Sequence, residues 1–144
     1  YNLIAGMNAQ WQDMKKLRGL AEKFPNTVIV IDHAGLPDER SDDYYENWKK
    51  GMAIAAKAAN IYCKISGLGL GDNNWTVGSI RPYVLYCIET FGIDRCLFAS
   101  NWPVDWLFSS FDTVINAYNA IISSLSEDEQ IALFSGNAEK IYRV

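Results

Sequence analysis

The sequence predicts an α/β fold in which four strand–helix units build a parallel sheet. Three observations carry this. Short apolar runs alternate with longer segments of helical period along the whole chain. The run Thr27-Val28-Ile29-Val30-Ile31-Asp32 is β-branched and too continuous for a sheet wetted on one face, which makes it an interior strand covered on both sides. The length of 144 residues, 49% hydrophobic and 21% charged, suits one domain with one core and excludes a disordered chain or a repeat fibre.

The first unit is a ragged strand from Asn2 to Met7, then a helix from about Trp11 to Lys23 in which Trp11, Met14, Leu17 and Ala21 recur three or four apart; Phe24-Pro25-Asn26 stops it. After the second strand, a polar loop from Gly35 to about Asp43 leads to a helix from about Tyr44 to Ala59. That helix carries the alanine-rich stretch Met52-Ala53-Ile54-Ala55-Ala56 and is ended by Asn60. The third strand is Ile61-Tyr62-Cys63-Lys64-Ile65-Ser66, followed by the glycine-rich loop Gly67 to Asp72 and a helix from about Val77 to Thr90. Pro82 falls in its first turns, where a missing N–H is tolerated. The fourth strand, Arg95 to Ser100, ends at Asn101-Trp102-Pro103 and precedes a helix from about Phe111 to Ser123. Ser126-Glu127-Asp128-Glu129 matches a capping box, and Asn137 is expected to cap a last short helix ending near Arg143. Four such units fit a small doubly wound sheet or half of an eight-stranded barrel, and pattern alone does not choose.

Composition narrows the partners. The 17 acidic against 13 basic residues leave a net charge of −4, so the chain has no electrostatic footprint for nucleic acid, and the expected partner is a small molecule or another protein. No run approaches the roughly 18 apolar residues of a membrane span. The 5 Trp, 8 Tyr and 6 Phe supply bulk for a core. Cys63, Cys87 and Cys96 lie far apart, with no CxxC, which predicts reduced thiols in a cytoplasmic protein and no disulfide framework or zinc knuckle. The opening Tyr1-Asn2-Leu3-Ile4-Ala5 has no initiator methionine and is already β-like, which reads as a chain beginning inside an element.

In either architecture ligands meet the C-terminal ends of the strands. Period-two counting puts His33 on the face of Ile29 and Ile31, expected to be a barrel's interior, and groups Asn101 with Leu97 and Ala99. His33, the only histidine, is suited to polarising a carbonyl, moving a proton or binding a metal; a core histidine bonded to a backbone carbonyl has equal weight. One imidazole and an amide fall short of a metal site. Gly67 to Gly71 has GxGxG spacing without the last glycine of a dinucleotide fingerprint or the Lys-Ser/Thr of a P-loop. It reads as a flexible loop, with a phosphate cradle as the minor alternative. Lys64 either pairs with a carboxylate, the favoured reading, or reaches the strand end as an anion contact. Trp75, Trp102 and Trp106 are expected to cluster, as core or interface before pocket wall.

Several of these stretches occur together in one order. Phe24-Pro25 precedes the strand ending Asp32-His33-Ala34-Gly35-Leu36-Pro37; then come Lys64-Ile65-Ser66-Gly67-Leu68, Phe91-Gly92-Ile93-Asp94-Arg95, Ser100-Asn101-Trp102-Pro103-Val104-Asp105, and Asn137-Ala138 before Tyr142-Arg143. This succession resembles the C-terminal half of the amidohydrolase-2 family, metal-dependent hydrolases of TIM-barrel fold that include sugar-lactone and pyrone-dicarboxylate lactonases. The resemblance implies an α/β fold with strands five to eight of a (β/α)8 barrel, so that residues 1–144 form a single partial domain with C-terminal helices. It implies that His33 matches the sixth-strand histidine, which binds metal or polarises the substrate carbonyl. Asn101 falls where most relatives carry the eighth-strand aspartate that activates water, and a neutral carboxamide cannot take that proton, so Asp105 is a candidate substitute.

The function that follows from the resemblance is hydrolysis of a lactone or related cyclic ester or amide of a sugar acid or aromatic-degradation intermediate. His33, Asn101 and Asp105 are the expected catalytic residues, and Lys64, Trp75 and Trp102 the substrate-binding ones. The resemblance leaves two readings open for the complete protein: one divalent metal, zinc or manganese, held by His33 only together with ligands from the other half, or no metal, as lactonases of this family can work without one and the first strand here offers no histidine ligand. This chain alone is expected to be inactive and metal-free. A structural half-barrel without activity and a small phosphate-ligand module are the alternatives. An open half-barrel would expose two strand edges and an interior face carrying Ile29, Ile31, Leu97 and Ala99, which predicts a homodimer.

Overall fold

The computed structural model describes residues 3–144. Four parallel strands, β1 (Ile4–Met7), β2 (Val28–Ile31), β3 (Ile61–Ile65) and β4 (Cys96–Phe98), form one sheet in the order β1-β2-β3-β4. The predicted start of the first strand at Asn2 lies outside the described residues. Register is tight across the middle, where Ile31 pairs with Cys63 and Cys63 with Cys96. A doubly wound sheet reverses its strand order at a switch point. This sheet never reverses, which removes that alternative.

Six helices connect and cover the strands: α1 (Met14–Lys23), α2 (Asp42–Ala55), α3 (Val77–Phe91), α4 (Phe111–Ile121), α5 (Glu127–Ile131) and α6 (Asn137–Tyr142). A 3-10 turn at Trp11–Asp13 begins the first helical stretch, and Met14, Leu17 and Ala21 form its buried stripe. The capping boxes at Thr76/Ser79 and Ser126/Glu129 each satisfy two backbone N–H groups that no helix turn can reach. Two boundaries differ from expectation. α2 stops at Ala55, where the chain passes into turns closed by Ala58 N–H to Ala55 O and Ile61 N–H to Ala58 O, and Asn60 serves elsewhere: its amide donates to the carbonyls of Ala21, Phe24 and Thr27 and ties the α1–β2 connection to β3. Asn137 is not a cap. It lies inside a continuous helical run joined to α5 by a π-turn at Ala132–Gly136, and its buried amide donates to Ile93 O at 2.7 Å and Cys96 O at 2.8 Å, anchoring α6 at the entry to β4.

The two faces of the sheet are unequal. Ile29, Ile31, Ile61, Cys63, Ile65, Cys96 and Phe98 meet the helices in the main core, with Trp48, Met52 and Tyr118 among its largest buried members. The opposite face carries Val30 and Leu97, closed by Ile141 of α6 and flanked by Ile4, Val28 and Tyr62. This corrects the assignment from the sequence. Ile29 and Ile31 face the helices, and the inner face of the sheet is the one bearing Val28, Val30 and Leu97. Much of its middle is covered by the chain's own last helix.

Cys63, Cys87 and Cys96, distant in sequence, meet in the main core as free, buried thiols; Cys96 Sγ donates to Cys87 O at 3.4 Å. Hydrogen bonding to Cys87 and burial hold the Cys63 thiol well above its ordinary pKa, and its interaction with Cys63 and burial do the same for Cys96. Such thiols are poor nucleophiles. Among the described residues no helix is long and apolar enough to cross a membrane.

Candidate active site

The chain leaves β2 by a left-handed turn. His33, Ala34, Gly35 and Leu36 have φ of 54°, 51°, 72° and 48°, a conformation that costs L-residues roughly 1–2 kcal/mol each and that only Gly35 adopts freely. Packing enforces it. Trp48 Nε1 donates to Ala34 O at 2.8 Å and Tyr44 Oη to Leu36 O at 3.2 Å, while a Cβ on Gly35 would fall 2.8 Å from Met52 Sδ. The turn explains why alternation misplaced His33, since period-two counting holds only while the backbone stays extended, and it stops at Ile31.

Turned this way, the imidazole lies against the ends of β3 and β4. Its Nδ1 is 2.9 Å from Ser66 Oγ. The ring also rests on Gly67, where a Cβ would come within 2.8 Å of Nδ1 and 3.2 Å of Asn101 Nδ2. Asn101, itself left-handed at φ 55°, donates from Nδ2 to Asp105 Oδ1 at 2.8 Å, and Asp105 is 2% exposed. Three strand ends thus bring His33, Ser66, Asn101 and Asp105 together. Burial lowers the pKa of His33, opposed by Asp32 and reinforced by Lys64; burial raises that of Asp105, opposed by the Asn101 amide and by His33.

Asp32 and Lys64 stand beside this group on the inner face as an ion pair at 2.6 Å, which is the carboxylate pairing favoured for Lys64 from the sequence. In the loop Gly67–Gly71 each glycine is a point of close approach. Gly67 sits against His33, Gly69 against the Trp75 and Phe108 rings, and a Cβ on Gly71 would meet Pro37 O at 2.3 Å. Arg40 braces the same loop by donating from Nη2 to Leu68 O while stacking 4.4 Å from the Tyr83 ring. The tryptophans do not form one cluster. Trp75 packs at Gly69, whereas the 40% exposed Trp102 stacks on Trp106 at 6.4 Å and meets Phe111 edge-on. A cavity of about 370 Å³ lined by Arg40, Asp72 and Tyr83 contains none of the strand-end group.

Ser66 was missed by reading the sequence. The signal available was a small hydroxyl residue at a strand's C-terminal end, directly before a glycine. Among the described residues no three His, Cys, Asp or Glu side chains are placed to share a metal ion, and Ser66 already engages one nitrogen of the only histidine. The described residues do not by themselves fit a metal.

The amidohydrolase family model matches residues 2–144, nearly the whole chain. The chain belongs to the amidohydrolase family. This amidohydrolase chain is 48% identical over 134 residues to the uncharacterized protein y4mH of Sinorhizobium fredii, covering 93% of this chain and 44% of that protein. It is 32% identical over 143 residues to an L-fucono-1,5-lactonase of Burkholderia ambifaria, covering 89% and 46%. Among solved structures, an amidohydrolase from Burkholderia multivorans superposes with a TM-score of 0.90 at 25% identity, over 98% of this chain and 53% of that one; a second crystal form of it contains bound zinc. The chain therefore spans about half the length of the relatives it matches, and its four strands and their helices correspond to half of an amidohydrolase (β/α)8 barrel.

Proposed function

We propose that the strand-end group of this amidohydrolase serves in hydrolytic opening of a lactone or related cyclic ester or amide of a sugar acid or aromatic-degradation intermediate, within a complete barrel. One observation carries the reading: His33, Asn101 and Asp105 converge at the strand ends of a chain similar to an L-fucono-1,5-lactonase. Water adds to the carbonyl carbon, the ring C–O bond breaks, one water proton passes to a base, and the leaving alkoxide takes up a proton. His33 polarises the carbonyl. Asn101, whose Nδ2 is committed to Asp105, keeps Oδ1 free to accept from the attacking water, and Asp105 is the candidate base behind it. Lys64, Trp75 and Trp102 border the substrate. A divalent ion such as zinc or manganese at His33 would need ligands from beyond this chain.

In a complete barrel carrying these residues, His33→Ala is expected to lower kcat for an aldono-1,5-lactone by about a hundredfold or more. An unchanged kcat returns His33 to a packing role and overturns the reading. The same assay compares Asp105→Asn with Asn101→Ala: loss only in the former assigns proton acceptance to Asp105. The 144-residue chain alone is expected to show no lactonase turnover. We also propose that it pairs with a second copy, which the two open sheet edges and the exposed Trp106 and Leu107 support.

A further inference from the structure

Ser66 is fully buried, and the His33 ring is the only hydrogen-bond partner of its hydroxyl among the described residues. A hydroxyl has one hydrogen to give and can accept as well. If His33 donated from Nδ1, Ser66 would accept and its own hydrogen would be left in the core with nowhere to go. If Ser66 donates to Nδ1, both groups are satisfied, and buried polar groups are overwhelmingly found satisfied. Gly67 contributes the room, because any Cβ there would displace the ring from Ser66.

We propose that Ser66 is a positioning residue that fixes His33 in the tautomer carrying its proton on Nε2, so that the site offers a hydrogen-bond donor and not a lone pair. Nε2 has no partner among the described residues and is not sealed from solvent, so this donor is available to a ligand. The chemistry it recognises is an oxygen acceptor gaining negative charge, such as an ester carbonyl becoming an oxyanion. A cation at Nε2 would require the opposite tautomer and would strand the Ser66 hydrogen. The tautomer stands on geometry alone; the identity of the acceptor rests on the proposed lactone hydrolysis.

Because His33 is the only histidine, long-range proton–nitrogen correlation spectra of the ¹⁵N-labelled chain report its two ring nitrogens without ambiguity. At about pH 8.5, above the ordinary imidazole range, the expected spectrum shows a protonated Nε2 and a lone-pair Nδ1. Ser66→Ala is expected to move both shifts toward the average of a free imidazole, and Ser66→Thr to restore them. A wild-type spectrum showing protonated Nδ1, or an average of the two forms, overturns the inference, and it does so even if Ser66→Ala fails to fold. So does a folded Ser66→Ala chain with unchanged shifts. In a complete barrel, Ser66→Ala should lower kcat about tenfold with little change in KM. If the tautomer is found as expected but His33→Ala leaves turnover intact, the lactonase reading fails while the role of Ser66 stands.

Discussion

His33 and Asp105 respond to pH in opposite senses. His33 has its pKa lowered from 6.5 by burial, so its neutral form belongs to the folded state. Its stabilising contribution is complete above 6.5 and is lost as pH falls through 6.5 toward the lower folded value, where the unfolded chain binds the extra proton. Asp105 has its pKa raised from 3.8, so its contribution is present below 3.8 and is lost as pH rises through the folded value. Thermal melts of His33→Gln should therefore decline less than wild type between about pH 7 and 5. Asp105→Asn should raise Tm at pH 7 while removing activity from a complete barrel, since a buried carboxylate kept for chemistry is a cost to folding. A melting temperature at pH 7 that falls on Asp105→Asn would show that the carboxylate instead holds the loop of Asn101 in place.

At the level of elements, the glycines separate into those that hold the structure and those that do not. The Cβ of Gly71→Ala would collide with backbone at Pro37 and Asp38, which cannot swing aside, and a loss of about 2–3 kcal/mol in urea unfolding is expected. Gly19, exposed within α1 with nothing within 4 Å of its Cβ position, should do the reverse: Gly19→Ala is expected to stabilise by about 0.5–1 kcal/mol. Asn137→Ala should cost about 1–3 kcal/mol by leaving the Ile93 and Cys96 carbonyls without their donor. Strands, helices and the capping box at Ser126 and Glu129 were legible in the sequence because periods and capping residues act locally, whereas Asn137, read as a cap, spends its amide on carbonyls more than forty residues away. The turn at His33 was not, because Trp48, Tyr44 and Met52, which impose it, come later in the chain and act across space. For the same reason the glycine spacing at 67, 69 and 71 marked a loop without revealing that each position is a point of close approach.

For the molecule as a whole, the sequence led correctly to half of a barrel but misjudged which sheet face would be bare. With Val30 and Leu97 enclosed under Ile141, the remaining apolar exposure concentrates after β4, where Trp106 and Leu107 are 73% and 79% exposed. Light scattering at micromolar concentration is expected to give a dimer, and Trp106→Ser with Leu107→Ser is expected to shift it toward monomer; a wild-type monomer would remove the proposal of self-association.

The uninterrupted order of the strands also bears on how the molecule is made. Within these residues each strand after β1 pairs with the one translated just before it, so β2, β3 and β4 each emerge beside a neighbour already made. β1, β2 and β3 can assemble with α1 and α2 while the remainder is still being built. Asn137, reaching back to Cys96, ties β4 down only once residue 137 has been made, so among the described residues the sheet grows from β1 to β4 in the direction of translation.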